Sequence, residues 1–213
     1  MQIDVISDTI CPWCFIGKRR LDRALAERPD DKFDVRWRPF RLNPGMPPEG
    51  MDRREYLAAK FGGDPRGGEV YQAIRAAGEA EDIAFVFDHI AHVPATTDSH
   101  RLIRWAATKG VQHAVVERLF QAYFIEGLDI GDPDVLCDVG VEEGMDRAIL
   151  ADLLAGEADR DLVEREDALA RRIGVEGVPA FIFGGKYIVP GAQDPNVFHQ
   201  VIDRVRQMSA APA

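Results

Sequence analysis

Residues 2–7 alternate polar and apolar side chains and carry β-branched Ile3, Val5 and Ile6, which predicts a strand with its apolar members turned inward. Beyond Cys14 the apolar residues recur at helical spacing, at Phe15, Ile16, Leu21, Ala24 and Leu25, until Pro29 stops the run. A second alternating stretch over 33–40 predicts another strand, and Asn43-Pro44-Gly45 with Pro47-Pro48-Glu49-Gly50 predicts an irregular connection after it. Strand, helix, strand make one βαβ unit. From about Met51 to Gly174 the pattern is helical, broken at Asp64-Pro65, Thr96-Thr97-Asp98, Gly110, Asp132-Pro133, Gly144 and Gly174. Asp before Pro suits a helix start, because the carboxylate accepts from free amides and proline has no amide to leave unpaired. Within 114–124, Val115, Leu119, Ala122 and Tyr123 share one stripe and are expected in the core. At the end, residues 179–183 and 186–189 predict two strands around a Gly184-Gly185 turn. Asp194-Pro195 then starts a last helix reaching about Gln207, with Val197, Ile202 and Val205 inward and fraying from Ala210. The order is that of a small α/β unit, residues 1–42 and 175–213, interrupted by a helical insertion over 43–174.

Composition changes this picture little. The 213 residues, 46% hydrophobic and 29% charged, suit a packed globular body with no need of staples. The formal net charge of −10 opposes diffuse attraction to nucleic acid or anionic membranes. The local exception, Lys18, Arg19, Arg20 and Arg23, reads as a solvated helix face that could at most attract an anionic thiol. The opening Gln2-Ile3-Asp4-Val5 has neither the basic start nor the apolar run of an export signal, and no stretch is long and apolar enough to cross a bilayer. A cytoplasmic location is the expectation.

The chemistry lies in Cys11-Pro12-Trp13-Cys14, between the first strand and the first helix. Two cysteines three apart on a first helical turn can close a disulfide, and unpaired amides with the helix dipole favour a thiolate on the outer one. Cys11 is therefore the expected nucleophile, with a pKa below the ordinary thiol value of about 8.5. Cys14, one turn deeper, would resolve the mixed disulfide. The rival, half of a zinc site, needs two more ligands from Cys137 or the five histidines, and none stands in a second paired spacing. No metal is expected. Cys137, on a helix of the insertion, reads as a small buried hydrophobe. His100 could face the site from the insertion or serve as a cap or surface residue. A proline at a strand start, as in Val178-Pro179, is weak evidence by itself.

Taken together, the CPWC sequence after a first strand, Gly177-Val178-Pro179 before the third, and Gly191-Ala192-Gln193 after the hairpin resemble the DsbA-like thioredoxin family along nearly the whole chain. Arg38-Pro39-Phe40, Ser99-His100-Arg101-Leu102, Ala122-Tyr123-Phe124 and Glu126-Gly127 are most similar to its FrnE-like branch, which is related to 2-hydroxychromene-2-carboxylate isomerases and kappa-class glutathione transferases. The resemblance implies an α/β thioredoxin-like fold with a large all-helical insertion. It implies Cys11 as nucleophile, Cys14 as resolving thiol and Pro179 as a cis-proline beside them. Pro12, Trp13, Val178 and His100 become candidate substrate contacts, and Gln193 and Asp194 would lie near a glutathione γ-glutamyl group. The expected function is thiol:disulfide exchange on proteins or small thiols without a cofactor, glutathione being a candidate co-substrate. Glutathione-dependent isomerisation or transfer is the alternative, although those relatives carry serine where this chain has Cys11. A redox-inert binding or chaperone module is the third reading.

Overall fold

The structure, a computed structural model, describes residues 1–62 and 66–210. The helix signal at Asp64-Pro65 and any fraying beyond Ala210 lie outside the described residues. The chain begins with β1 (Gln2–Ser7), α1 (Pro12–Ala26) and β2 (Asp34–Pro39). Cys11 holds extended angles (φ −95°, ψ 112°) as the cap of α1, and Pro12 fills the first helical position, where no amide is needed. β1 and β2 run parallel, with Ile3 opposite Val35 and Val5 opposite Trp37, so the βαβ unit is present.

Next come the short strand β3 (Met51–Asp52), α2 (Arg53–Phe61), α3 (Arg66–Glu79) and the short strand β4 (His92–Val93). The expected insertion is thus not wholly helical: β3 pairs antiparallel with β4. Two residues per strand carry no period for a sequence pattern to reveal. There follow α4 (Thr97–Lys109), α5 (Gln112–Phe124), α6 (Pro133–Glu142), α7 (Arg147–Ala155) and α8 (Arg160–Arg172). Asp132 caps α6 by accepting from the Asp134 amide at 2.8 Å, as its position before Pro133 predicts. The α5 stripe is core: Val115, Leu119, Ala122 and Tyr123 are all buried.

The chain closes with β5 (Ala180–Phe183), β6 (Tyr187–Pro190) and α9 (Pro195–Ala210). Lys186, expected in the second strand, lies in the turn, its amide donating to the Phe183 carbonyl at 3.1 Å. The sheet order is β2-β1-β5-β6, with β5 antiparallel to both neighbours. Strand alternation divides the apolar residues between two faces. Ile3, Val5, Phe181 and Phe183 meet α1 and α9 on one face, where the Phe181 and Phe198 rings lie 4.8 Å apart. Ile6 and Ala180 meet Phe40, Ala170 of α8 and Val175 on the other.

Aromatic rings and ion pairs tie the insertion to α1. Phe15 stacks on Phe120 of α5 at 5.1 Å. The basic cluster after the cysteines is only in part the solvated face expected of it, Arg23 being exposed and Lys18 not. Lys18 is buried and paired with Asp22 (2.7 Å) and Glu117 (2.9 Å), while Arg20 and Arg23 share the buried Glu81 at 2.9 and 3.0 Å. Asp22 stands one helical turn from Lys18, whereas Glu81 and Glu117 come from distant points of the chain, which sequence spacing could not reveal. Arg101, fully buried on α4, donates to the carbonyls of Leu153, Gly156 and Ala158 and so holds the α7–α8 connection. Among the described residues no helix is long and apolar enough to cross a membrane.

Candidate functional site

The Cys11 amide donates to the Asp8 carbonyl at 3.1 Å and the Cys14 amide to the Cys11 carbonyl at 3.0 Å, which sets both thiols on one short turn at the end of β1. Both cysteines are buried, Cys11 at 4% exposure and Cys14 at 1%. The outer position of Cys11 is thus a matter of order, not of open access. Its Sγ donates to the Val178 carbonyl at 3.6 Å, and the Val178–Pro179 peptide bond is cis, as the resemblance implied. Pro179 is fixed from two sides. Its carbonyl accepts from the Gly191 amide at 2.7 Å, and its ring lies so near α1 that a Cβ on Gly17 would come within 2.9 Å of it.

Burial raises the Cys14 pKa well above the ordinary thiol value, and the neighbouring Cys11 thiol adds to the rise. The Asp8 main-chain amide and the Ser7 hydroxyl act the other way, since both stabilise a thiolate. Cys14 therefore rests as a neutral thiol at pH 7 and must lose a proton before it can attack.

A cleft of about 300 Å³ opens in front of Cys11. Pro12, Trp13 and Val178 line it from the α/β unit, and Tyr56, Tyr71 and Tyr123 from the insertion. Among the described residues its charged lining is Arg53 and Lys60, with no carboxylate. Arg53 is held by the Tyr71 hydroxyl at 3.1 Å, and its guanidinium lies over the rings of Tyr71 and Phe87. Sequence reading missed this half of the wall. The one available signal is spacing: Arg53, Tyr56 and Lys60 stand at i, i+3 and i+7, one face of α2.

The remaining candidates lie elsewhere. His100 is buried on α4 and lines a second cavity, not the Cys11 cleft, its Nε2 3.4 Å from Asp8 Oδ1. Gln193 spends its amide on the Pro190 carbonyl at 2.7 Å. The Asp194 carboxylate caps α9 through the Asn196 amide at 2.9 Å, which lowers its pKa. Neither lines the Cys11 cleft. Cys137 is buried in α6, and burial raises its pKa. Among the described residues no cluster of three or more His, Cys, Asp or Glu is placed to hold a metal ion. Ser7 and Asp8, which sequence reading treated as strand end and linker, prove to be neighbours of Cys14.

The DSBA-like thioredoxin domain model matches residues 2–203. The chain belongs to the DSBA-like thioredoxin family. Within the comparisons, the uncharacterised protein YwbO of Bacillus subtilis is 28% identical over 204 residues, covering 95% of this chain and 96% of that one. A structure described as a probable DsbA oxidoreductase of Streptomyces coelicolor superposes with a TM-score of 0.90 at 29% identity, covering 100% of this chain and 92% of that one. The cytosolic disulfide reductase DsbM of Pseudomonas aeruginosa, solved with glutathione, has a TM-score of 0.68 at 21% identity over 97% of this chain and 100% of its own. A 2-hydroxychromene-2-carboxylate isomerase has a TM-score of 0.70 at 16% identity over 99% and 98% of the two chains. These last two likenesses are of fold. Membership of the DSBA-like family points to an enzyme acting on thiols and disulfides.

Proposed function

We propose that the protein is a thiol:disulfide oxidoreductase that exchanges disulfides through Cys11 and Cys14, with Cys11 as the nucleophile. The observation that carries this reading is the pairing of two thiols on the first turn of α1, one at the floor of a cleft and the other behind it. A thiolate at Cys11 attacks a substrate sulfur, the substrate's own S–S bond breaks, and a mixed disulfide forms while the leaving thiolate takes a proton from solvent. Cys14, once deprotonated, attacks Cys11 Sγ, closes the Cys11–Cys14 disulfide and releases the second substrate thiolate. Run backwards from the disulfide, the same steps oxidise a dithiol. Pro12, Trp13 and Val178 bound the cleft, and the Val178 main chain offers polar groups to an extended substrate. Pro179 acts on that wall through its cis bond to Val178.

Insulin reduction and the reactivation of a scrambled disulfide substrate test this reading. Wild type should support both, and Cys11→Ser neither. Equal activity in Cys11→Ser would overturn the assignment.

Glutathione as co-substrate is favoured by one observation, two cations and no carboxylate among the described residues of the cleft wall. An anionic tripeptide thiol suits that lining. Calorimetric titration with reduced glutathione should give a binding isotherm that Arg53→Glu weakens. The isomerase alternative lacks such support, because Cys11 supplies a redox partner for Cys14.

A further inference from the structure

Behind the dithiol lie a buried carboxylate and a buried imidazole that the exchange steps leave unused. Asp8 is fully buried. Its Oδ2 accepts from the Leu42 amide at 2.6 Å, whereas Oδ1 has no hydrogen-bond partner. His100 is 4% exposed, and its Nε2, 3.4 Å from that oxygen, has none either. Buried polar atoms without partners are costly, and where they persist beside a reactive group they point to proton chemistry.

The second connecting observation is a cavity of about 310 Å³ that shares no lining residue with the Cys11 cleft. Ser7, whose hydroxyl faces Cys14, lines it together with His100. The space is roomy enough for several water molecules. The other charged groups that face it are already paired. From α4, Arg104 pairs with Glu166 of α8 at 2.7 Å and lies 3.7 Å from Asp159; from β2, Arg38 pairs with Asp4 at 2.9 Å. His100 is thus the titratable group left to accept a proton within the cavity among the described residues.

We propose that Cys14 exchanges its proton by way of the Ser7 hydroxyl and the cavity to His100, with Asp8 holding the resulting imidazolium. This rests on the exchange reading above and adds a route to it. The Cys14 S–H bond breaks and Ser7 Oγ takes that proton while giving its own to the cavity. The His100 ring takes up the equivalent proton and becomes a cation whose Nε2 faces the Asp8 carboxylate. The Cys14 thiolate then forms the S–S bond to Cys11, and its electron pair displaces the substrate thiolate. Ser7 touches the reacting thiol and acts directly; Asp8 is a positioning residue.

The test uses the reduced full chain and half an equivalent of Ellman's reagent. The first nitrothiobenzoate is released by Cys11 attack and the second by Cys14 resolution, so one stopped-flow trace reads both steps. The expected result for His100→Gln and Ser7→Ala is a first phase close to wild type and a second phase slowed by about tenfold or more. In His100→Gln the second phase should rise log-linearly with pH, losing the wild-type inflection, and added imidazole should partly restore it. Ser7→Thr, which keeps the hydroxyl, should stay near wild type. A second phase of wild-type rate in both variants, or equal slowing of the two phases with an unaltered pH profile, would overturn the route. Should His100→Gln not fold, Ser7→Ala against Ser7→Thr carries the comparison. Absence of the first phase in wild type would instead sink the exchange reading itself.

Discussion

At the scale of single residues, the two motif cysteines differ in surroundings more than in exposure. Cys11 gives its hydrogen to the Val178 carbonyl at the cleft, while Cys14 is enclosed and its pKa raised by burial. Removing the second thiol should therefore trap what the first one captures. Cys14→Ser should accumulate a mixed disulfide on Cys11, visible by intact-mass and peptide spectrometry, and Cys137→Ser should exchange as wild type does. Adducts on Cys137 would contradict this. The raised Cys14 and Cys137 values also bear on stability. An unfolded thiol ionises near pH 8.5 and the folded one at higher pH, so the folded state binds more protons in between. Stability of the reduced protein is then fully present below about pH 8.5 and falls as pH rises, with a slope approaching about 1.4 kcal/mol per pH unit for each such thiol. Urea midpoints from pH 7 to 10 should show this decline, and Cys14→Ala should flatten it. A decline unchanged by Cys14→Ala would mean that Cys14 ionises alike in both states.

At the scale of elements, α1 carries the site, and how closely it approaches β5 decides the geometry. At Gly17 the two are in close contact, a Cβ there meeting Pro179, just before β5, at 2.9 Å and the Phe181 ring at 3.1 Å. Since the proline ring cannot swing aside, Gly17→Val should lower stability by roughly 1–3 kcal/mol and slow exchange more than an equally destabilising change on α7. Chemical denaturation alongside insulin reduction checks both parts. A glycine inside a helical pattern, costing about 1 kcal/mol against alanine, was the available hint, though it could not say what lay opposite. The long periodic elements were legible: β1, α1, β2, the α5 stripe and the closing hairpin follow from spacing and punctuation. In α9 the buried stripe is Phe198, Ile202 and Val205 at i, i+4 and i+7, whereas Val197, expected inward, is half-buried; spacing was enough to prefer Phe198. The CPWC pair could be found from its position between strand and helix. Ser7, Asp8 and the α2 face could not, because their roles depend on segments that meet only in three dimensions.

Over the whole molecule, a net charge of −10 coexists with a cleft whose charged lining, among the described residues, is Arg53 and Lys60. Long-range repulsion and short-range attraction then act oppositely on an anionic disulfide, and salt weakens the former more. Exchange with dithiodiglycolate should exceed that with cystamine at matched ionic strength. Arg53→Glu should lower kcat/KM for the anionic substrate about fivefold or more while leaving hydroxyethyl disulfide little changed, as about 1 kcal/mol of lost attraction implies. No change of preference would remove the cleft cations from substrate selection. The chain order has its own consequence in time. Cys11 and the Val178 carbonyl that receives its hydrogen bond are 167 residues apart, and β1 has its β5 neighbour only after the whole insertion is made. At about 5–20 residues per second a ribosome takes roughly 8–33 s to span that interval. Throughout it, the nascent chain displays a dithiol without its floor and a strand with one edge bare. Redox competence thus arrives with the final hairpin, and a message truncated anywhere inside the insertion encodes a product with both cysteines and no site.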